Sequence, residues 1–153
     1  MDAVRITSGH TDSRRTIWDL VSDGNVGGGQ SLFNLAWFDP VHPGAQIGGA
    51  KVGYGHYHEM MWETYLILSG TFIMSLLKID TDNITHFTLE VKPGEAPWKI
   101  KISPRVVHRL TAVTEVRLLI ASTGPQVKED TFESELPDPD RNLTYNQKYI
   151  LGS

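Results

Sequence analysis

The chain has 153 residues, 40% hydrophobic and 21% charged, with a formal net charge of −4, which suits one domain with its own core and is too little for two. The acidic balance speaks against a nucleic-acid or anionic-membrane partner, either of which wants a basic surface, and no apolar run approaches the ~20 residues that span a bilayer. The absence of cysteine removes disulfides, thiolate nucleophiles and thiolate metal ligands, and the opening MDAVRITSGH has no apolar signal segment, so the expected location is the cytoplasm.

Taken in chain order, the first feature is the triple glycine Gly27 to Gly29. It does not follow a strand and open a helix, so it is expected to be a flexible loop rather than a phosphate cradle. Strands are expected over Ser31–Phe38, Lys51–His58, Glu63–Ser69, Thr71–Ile79, Thr85–Val91, Trp98–Ile102, Val107–Val113 and Val116–Ser122. Between them stand Asp39-Pro40, His42-Pro43-Gly44, Ser69-Gly70, Pro93-Gly94 and Ser103-Pro104, which fix or free φ and so favour turns. Eight short strands without a convincing amphipathic helix predict an all-β sandwich or barrel in a single domain, followed by a C-terminal extension, 123–153. The end of that extension, ELPDPDRNLTYNQKYILGS, is expected to wrap over the surface or reach a neighbouring subunit.

The segment GYGHYHEMMWETYLILSG carries the chemistry. On a strand, side chains at i and i+2 leave one face, so His56 and His58 point together with Cα atoms roughly 6–7 Å apart. Two imidazoles at that spacing can close on one ion. Glu63 has the wrong parity for the same strand, so the intervening Glu59-Met60-Met61-Trp62 must turn the chain and bring Glu63 in from another strand. His108 completes the set: after the break at Pro104 it shares a face with Val106 and Leu110, where an otherwise apolar surface gives a histidine no other reason to be. Three imidazoles and a carboxylate suit zinc first, with iron, manganese or nickel as alternatives.

These residues resemble the cupin superfamily, whose first motif runs glycine, five residues, H-x-H, three or four residues, E, six residues, G. His56, His58, Glu63 and Gly70 fit it, while the opening glycine is one place early, at Gly49. The second motif is partly kept in SPRVVHRLTA, which supplies Pro104 and His108. The resemblance implies a cupin jelly-roll barrel (a double-stranded β-helix) over about 14–122, holding one divalent ion through His56, His58, Glu63 and His108. GHYH with ETYLILSGTFIMSL further resembles the cupins that epimerise or isomerise nucleotide-activated keto sugars, among them the C-terminal cupin domain of the capsular-polysaccharide reductase/epimerases. TDSRRTIWDL is similar to their D-x-R-G opening, with Arg15 in place of the glycine, and KEDTFESEL to their Asp-Thr-Phe ending. The resemblance thus implies a small-molecule substrate, a nucleotide sugar among the choices, and a homodimer. An iron-dependent dioxygenase and a non-catalytic binding cupin are the alternatives.

Moving a proton on the carbon beside a carbonyl needs a base and a group that stabilises charge on oxygen. Strand parity with His56 nominates Tyr54 as the catalytic base. Tyr65 shares a face with Glu63 and is placed to bond that carboxylate or pack the core. Lys51 and Arg109 have the opposite parity to their neighbouring ligands and are expected, with Arg105, to be solvated. His10, His42 and His86 carry no partner pattern.

Overall fold

The computed structural model of the chain describes residues 9–21, 32–123 and 130–139; the glycine loop at 27–29 and the tail beyond 139 lie outside them. Eleven strands and no α-helix occur among the described residues: β1 Gly9–Thr11, β2 Arg15–Val21, β3 Leu32–Val41, β4 Gln46–Ile47, β5 Tyr54–Tyr57, β6 Trp62–Lys78, β7 Ile84–Val91, β8 Trp98–Ile102, β9 Val106–Ala112, β10 Val116–Thr123 and β11 Phe132–Glu135. All pairings are antiparallel. One sheet runs β1-β2-β3-β10-β6-β8 and the other β7-β6-β9-β5-β11, with β4 beside β9.

β6 belongs to both sheets. The Ser69-Gly70 pair, expected to end a strand, instead lies inside one continuous strand of 17 residues. Before it the buried positions are Glu63, Tyr65 and Ile67; after it the buried apolar positions are Phe72 and Met74, with Ser75 covered on the other face. The inward phase therefore slips from odd to even, and the pairing with β10 jumps between Arg117↔Ser69 and Leu118↔Ile67. One extra residue on a strand has this effect, since it bends the strand and exchanges its faces. Gly70 permits the bend: its φ is 106°, and a Cβ there would collide with the Glu115 carbonyl oxygen.

Residues from both sheets form one apolar core. Phe38 of β3, Ile67, Phe72 and Met74 of β6, Leu89 of β7, Leu110 of β9 and Leu118 of β10 all lie in it. Each such side chain contributes about 1.5–3 kcal/mol of burial free energy. β9 turns Leu110 and Ala112 into this core and carries Val107 and Arg109 on its other face, as alternation requires.

That other face does not meet solvent, and the expectation for Arg109 is corrected here. Arg109 is 0% exposed. β11 pairs with β5 over Phe132–Glu135, and the chain beyond it is tied down by Leu136 N–H donating to Gly53 O at 2.8 Å. The Arg109 guanidinium donates to the carbonyls of Tyr54 (3.0 Å), Leu136 (2.7 Å) and Pro137 (3.1 Å) and pairs with Asp138 at 2.9 Å. Parity aimed the side chain away from the core as expected, and the C-terminal segment then covered it. Gly55 makes room for this layer, because a Cβ there would come within 2.8 Å of Leu136 Cδ2.

Candidate metal centre

The fold brings the four sequence-nominated residues together. His56 on β5 is the direct cross-strand partner of His108 on β9. His58 stands just beyond the end of β5, and the turn at 59–61 then carries the chain into the other sheet, where Glu63 is the second residue of β6. The ring centroids of His56 lie 4.9 Å from those of His58 and 4.4 Å from those of His108. Glu63 Oε2 is 2.7 Å from His108 Nε2, 3.6 Å from His58 Nε2 and 3.8 Å from His56 Nε2. One potential ligand atom from each residue falls within 4.8 Å of all the others.

Two backbone carbonyls orient the imidazoles. His58 Nδ1 donates to Asp130 O at 2.8 Å and His108 Nδ1 to Val106 O at 2.9 Å. With Nδ1 as the donor, each ring presents Nε2 to the centre of the group, the arrangement by which outer hydrogen bonds fix the tautomer of a ligating histidine. His56 Nε2 and His58 Nε2 are buried there without a hydrogen-bond partner, and His108 Nε2 lies 2.7 Å from Glu63 Oε2. Buried nitrogens converging unsatisfied on one carboxylate are costly unless something occupies the centre, and a mixed set of imidazole and carboxylate donors fits a first-row divalent ion. The residues fit the implied metal.

The charges agree. Burial works to raise the Glu63 carboxyl, but the contact with His108 and the close approach of His56 and His58 outweigh it and hold the group well below the usual carboxylate range. Burial lowers His56, so its ring stays neutral. In His58 burial pulls the same way, but the Glu63 carboxylate and the Asp130 carbonyl reverse it, and the net shift is upward from 6.5.

His56 and Glu63 also line a cavity of about 490 Å³, whereas His58 and His108 do not. Its walls include Arg15 and Ile17 from β2, Ala36 and Phe38 from β3, Tyr65 from β6, and Ile120 and Ser122 from β10. Tyr65 is the tyrosine that faces this space. Its ring packs edge-on against His108 at 5.9 Å, its hydroxyl is buried without a partner, and burial with the nearby Glu63 charge pushes that hydroxyl well above the ordinary tyrosine range. Tyr54, nominated by parity, is not among the lining residues; its ring lies 5.4 Å from the Lys51 ammonium. Tyr54 opens β5 after the turn at 51–53 and pairs with Glu135 of β11.

Asp130 is the site residue whose role sequence reasoning missed. Its carboxylate accepts the N–H groups of Glu59 (2.9 Å), Met60 (3.2 Å) and Met61 (3.1 Å), capping the turn between His58 and Glu63, while its carbonyl holds His58. The Asp-Thr-Phe resemblance was the available signal. Arg105 is exposed as expected and pairs with Glu59 at 3.1 Å and Asp80 at 2.7 Å.

No family model and no curated protein sequence matches the chain. Solved structures do. The capsular polysaccharide assembling protein CapF from Staphylococcus aureus superposes with a TM-score of 0.61 at 15% identity, over 82% of this chain and 31% of CapF. Lactobacillus farciminis oxalate decarboxylase, in a formate complex, gives 0.56 at 11% over 84% of this chain and 33% of the enzyme. Bacillus subtilis oxalate decarboxylase, a protein with Mn(II) centres, gives 0.58 at 12% over 84% and 30%. This is the cupin fold. At 30–33% coverage the chain spans about a third of the length of these proteins, and the cupin barrel is the part they share with it. Within this fold, His56, His58, Glu63 and His108 form a group that can hold a metal ion.

Proposed function

We propose that this cupin is a metal-dependent epimerase or isomerase acting on a keto sugar, with the nucleotide-activated sugars as the first substrates to test. The observation that carries the proposal is the convergence of three imidazoles and one carboxylate, with two Nε2 atoms unsatisfied, on the wall of a cavity large enough for a sugar ring. CapF, named for capsular polysaccharide assembly, adds support for a carbohydrate substrate.

His56, His58, Glu63 and His108 would hold the ion, zinc by preference and manganese, iron or nickel as alternatives. When bound, a divalent ion supplies Lewis-acid polarisation of a carbonyl oxygen and so favours loss of a proton from the neighbouring carbon. The chain's own residues do the rest. A substrate in the cavity reaches the group from the side of His56 and Glu63. Tyr65 keeps a proton on its hydroxyl oxygen and faces the substrate, so it can donate that proton or hydrogen-bond a developing oxyanion. Glu133 lines the same cavity, its carboxylate accepting the Ala50 N–H at 3.1 Å, and it is the acceptor available for a proton once Glu63 is committed to the ion. The apolar stretch Ile17, Ala36 and Ile120 excludes water from the sugar face.

The test is elemental analysis of protein purified without added metal, followed by incubation with nucleotide 4-keto sugars in deuterated water. One equivalent of a divalent ion and deuterium incorporation beside the carbonyl are expected. A metal-loaded protein that incorporates none across these substrates rules out the isomerase. Bound iron with oxygen consumption would assign a dioxygenase instead.

A further inference from the structure

Part of the cavity wall has no duty in the metal group. On the inner face of the first sheet, Ser122 lies opposite Glu63, and Ile120 lies opposite Tyr65. Ser122 and Tyr65 are 0% and 1% exposed, and neither side-chain oxygen has a hydrogen-bond partner. Arg15 enters the same cavity from β2, with its guanidinium carbon 5.7 Å from the centre of the Phe38 ring and its Nε buried without a partner. Among the described residues no carboxylate forms an ion pair with Arg15. The nearest acid in sequence, Asp12, is engaged elsewhere: it takes the Arg14 guanidinium at 2.7 Å and the backbone N–H groups of Arg14 and Arg15.

A guanidinium that is partly buried and unpaired is unfavourable, because it has lost water and gained no counter-charge. Two buried hydroxyls in the same wall add donors free to turn toward the same space. One permanent positive charge with hydroxyl donors beside it selects an anion, and a guanidinium matches the planar edge of a carboxylate or the oxygens of a phosphate.

We infer that Arg15, Tyr65 and Ser122 form an oxyanion-binding subsite beside the His56–Glu63 side of the metal group, so that the ligand of this cavity carries a carboxylate or phosphate. This rests on the proposed function for what happens at the metal group and on nothing there for the anion itself. The apolar residues Ile17 and Ile120 line the same cavity and suit the carbon skeleton of such a ligand.

The experiment uses the full chain and three probes of one sugar framework: glucuronate, glucose 6-phosphate and neutral glucose. Each is titrated calorimetrically into zinc-loaded and metal-free protein, wild type, Arg15→Gln and Arg15→Lys. A charge-assisted contact of this kind predicts that wild type binds at least one anionic probe about 10- to 100-fold more tightly than glucose. That preference should weaken with added salt, vanish in Arg15→Gln and return in part in Arg15→Lys, with metal content equal in all three proteins. Glucuronate binding more tightly than glucose 6-phosphate identifies a carboxylate, and the reverse order a phosphate. The subsite is overturned if glucose binds as well as both anions, if neither anion binds, or if Arg15→Gln keeps the preference. The metal-free arm separates the two readings. A preference that survives there, in a protein that never retains metal, sinks the metal centre and leaves the subsite standing. A preference seen only with zinc bound and indifferent to Arg15 places the anion on the ion and overturns the subsite.

Discussion

At Glu63, one carboxylate is asked to satisfy three imidazoles, and it can bond only His108 at a normal distance, 2.7 Å. An ion at the centre would relieve the other two, so Glu63→Gln should lower zinc affinity at least about 100-fold, more than the 10–100-fold lost with an outer hydrogen bond. Competition against a chromophoric chelator reads this directly. The same residues set a pH dependence. Binding needs neutral imidazoles, and His58 is raised above 6.5 while His56 is lowered. As pH falls, His58 therefore takes a proton first, and zinc affinity should begin to drop above pH 6.5 rather than below it. In the metal-free protein the sign reverses: a raised imidazole contributes stability that is fully present below its unfolded value and is lost as pH rises through the folded one. Zinc release followed from alkaline to acid pH checks the first; urea midpoints of the apo protein, which should shift upward from His58 on acidification, check the second. Tyr65→Phe removes the hydroxyl proton from the cavity and leaves the four donors alone. It should reduce turnover of a keto-sugar substrate about 100-fold or more with unchanged metal content.

Among the elements, the C-terminal strand β11 and its flanks act on the site from outside the barrel. Asp130 caps the 59–61 turn with three hydrogen bonds and holds His58 with a fourth. Replacing its side chain in Asp130→Ala should loosen the spacing of His58 and Glu63 and weaken metal binding about 10- to 100-fold, while the apolar core and the far-ultraviolet spectrum stay as they are. How much of this could be read in advance depends on the range of the interaction. Period-two alternation placed His56, His58 and His108 on inward faces, because that is a local property of any strand. The cupin resemblance supplied the barrel that makes those faces converge. What escaped was non-local: Arg109 was aimed outward correctly but is covered by residues 27 to 29 positions further along, and no local pattern announces that cover. Ser69-Gly70 carries turn chemistry yet bends a strand without ending it, since the positive φ that glycine permits can serve a bulge as well as a tight turn. The expected base Tyr54, at the start of β5, is not among the residues that line the cavity, and Tyr65, on the same face as Glu63, stands there instead. At Gly70 the bulge makes its own forecast: Gly70→Ala forces a Cβ against the Glu115 carbonyl at φ 106° and should destabilise the protein by more than about 2 kcal/mol, measured by urea denaturation.

For the molecule as a whole, a site assembled from β5, β6 and β9 exists only when both sheets are in place. An ion that binds the folded chain and not the unfolded one stabilises it by about 4 kcal/mol at a thousandfold excess over its dissociation constant. For a domain of this size that amounts to a fall in Tm on the order of 10 °C when a chelator strips the ion, and scanning calorimetry with and without EDTA tests it; equal melting temperatures would mean no ion was held.

The phase slip in β6 has a genetic corollary. Between Ile67 and Thr71 the strand carries one residue more than its partner needs, so a single in-frame codon loss there would restore strict alternation. Glu63, Tyr65 and Ile67 would then fall in step with Phe72 and Met74, which pin the far half of the strand to β7 and β9, so both halves would keep their inward facing. What would go is the bend by which one strand serves both sheets, and with it the angle at which the Glu63 carboxylate is carried toward the histidines. The geometry of the site is thus tied to one surplus residue as well as to its four donors.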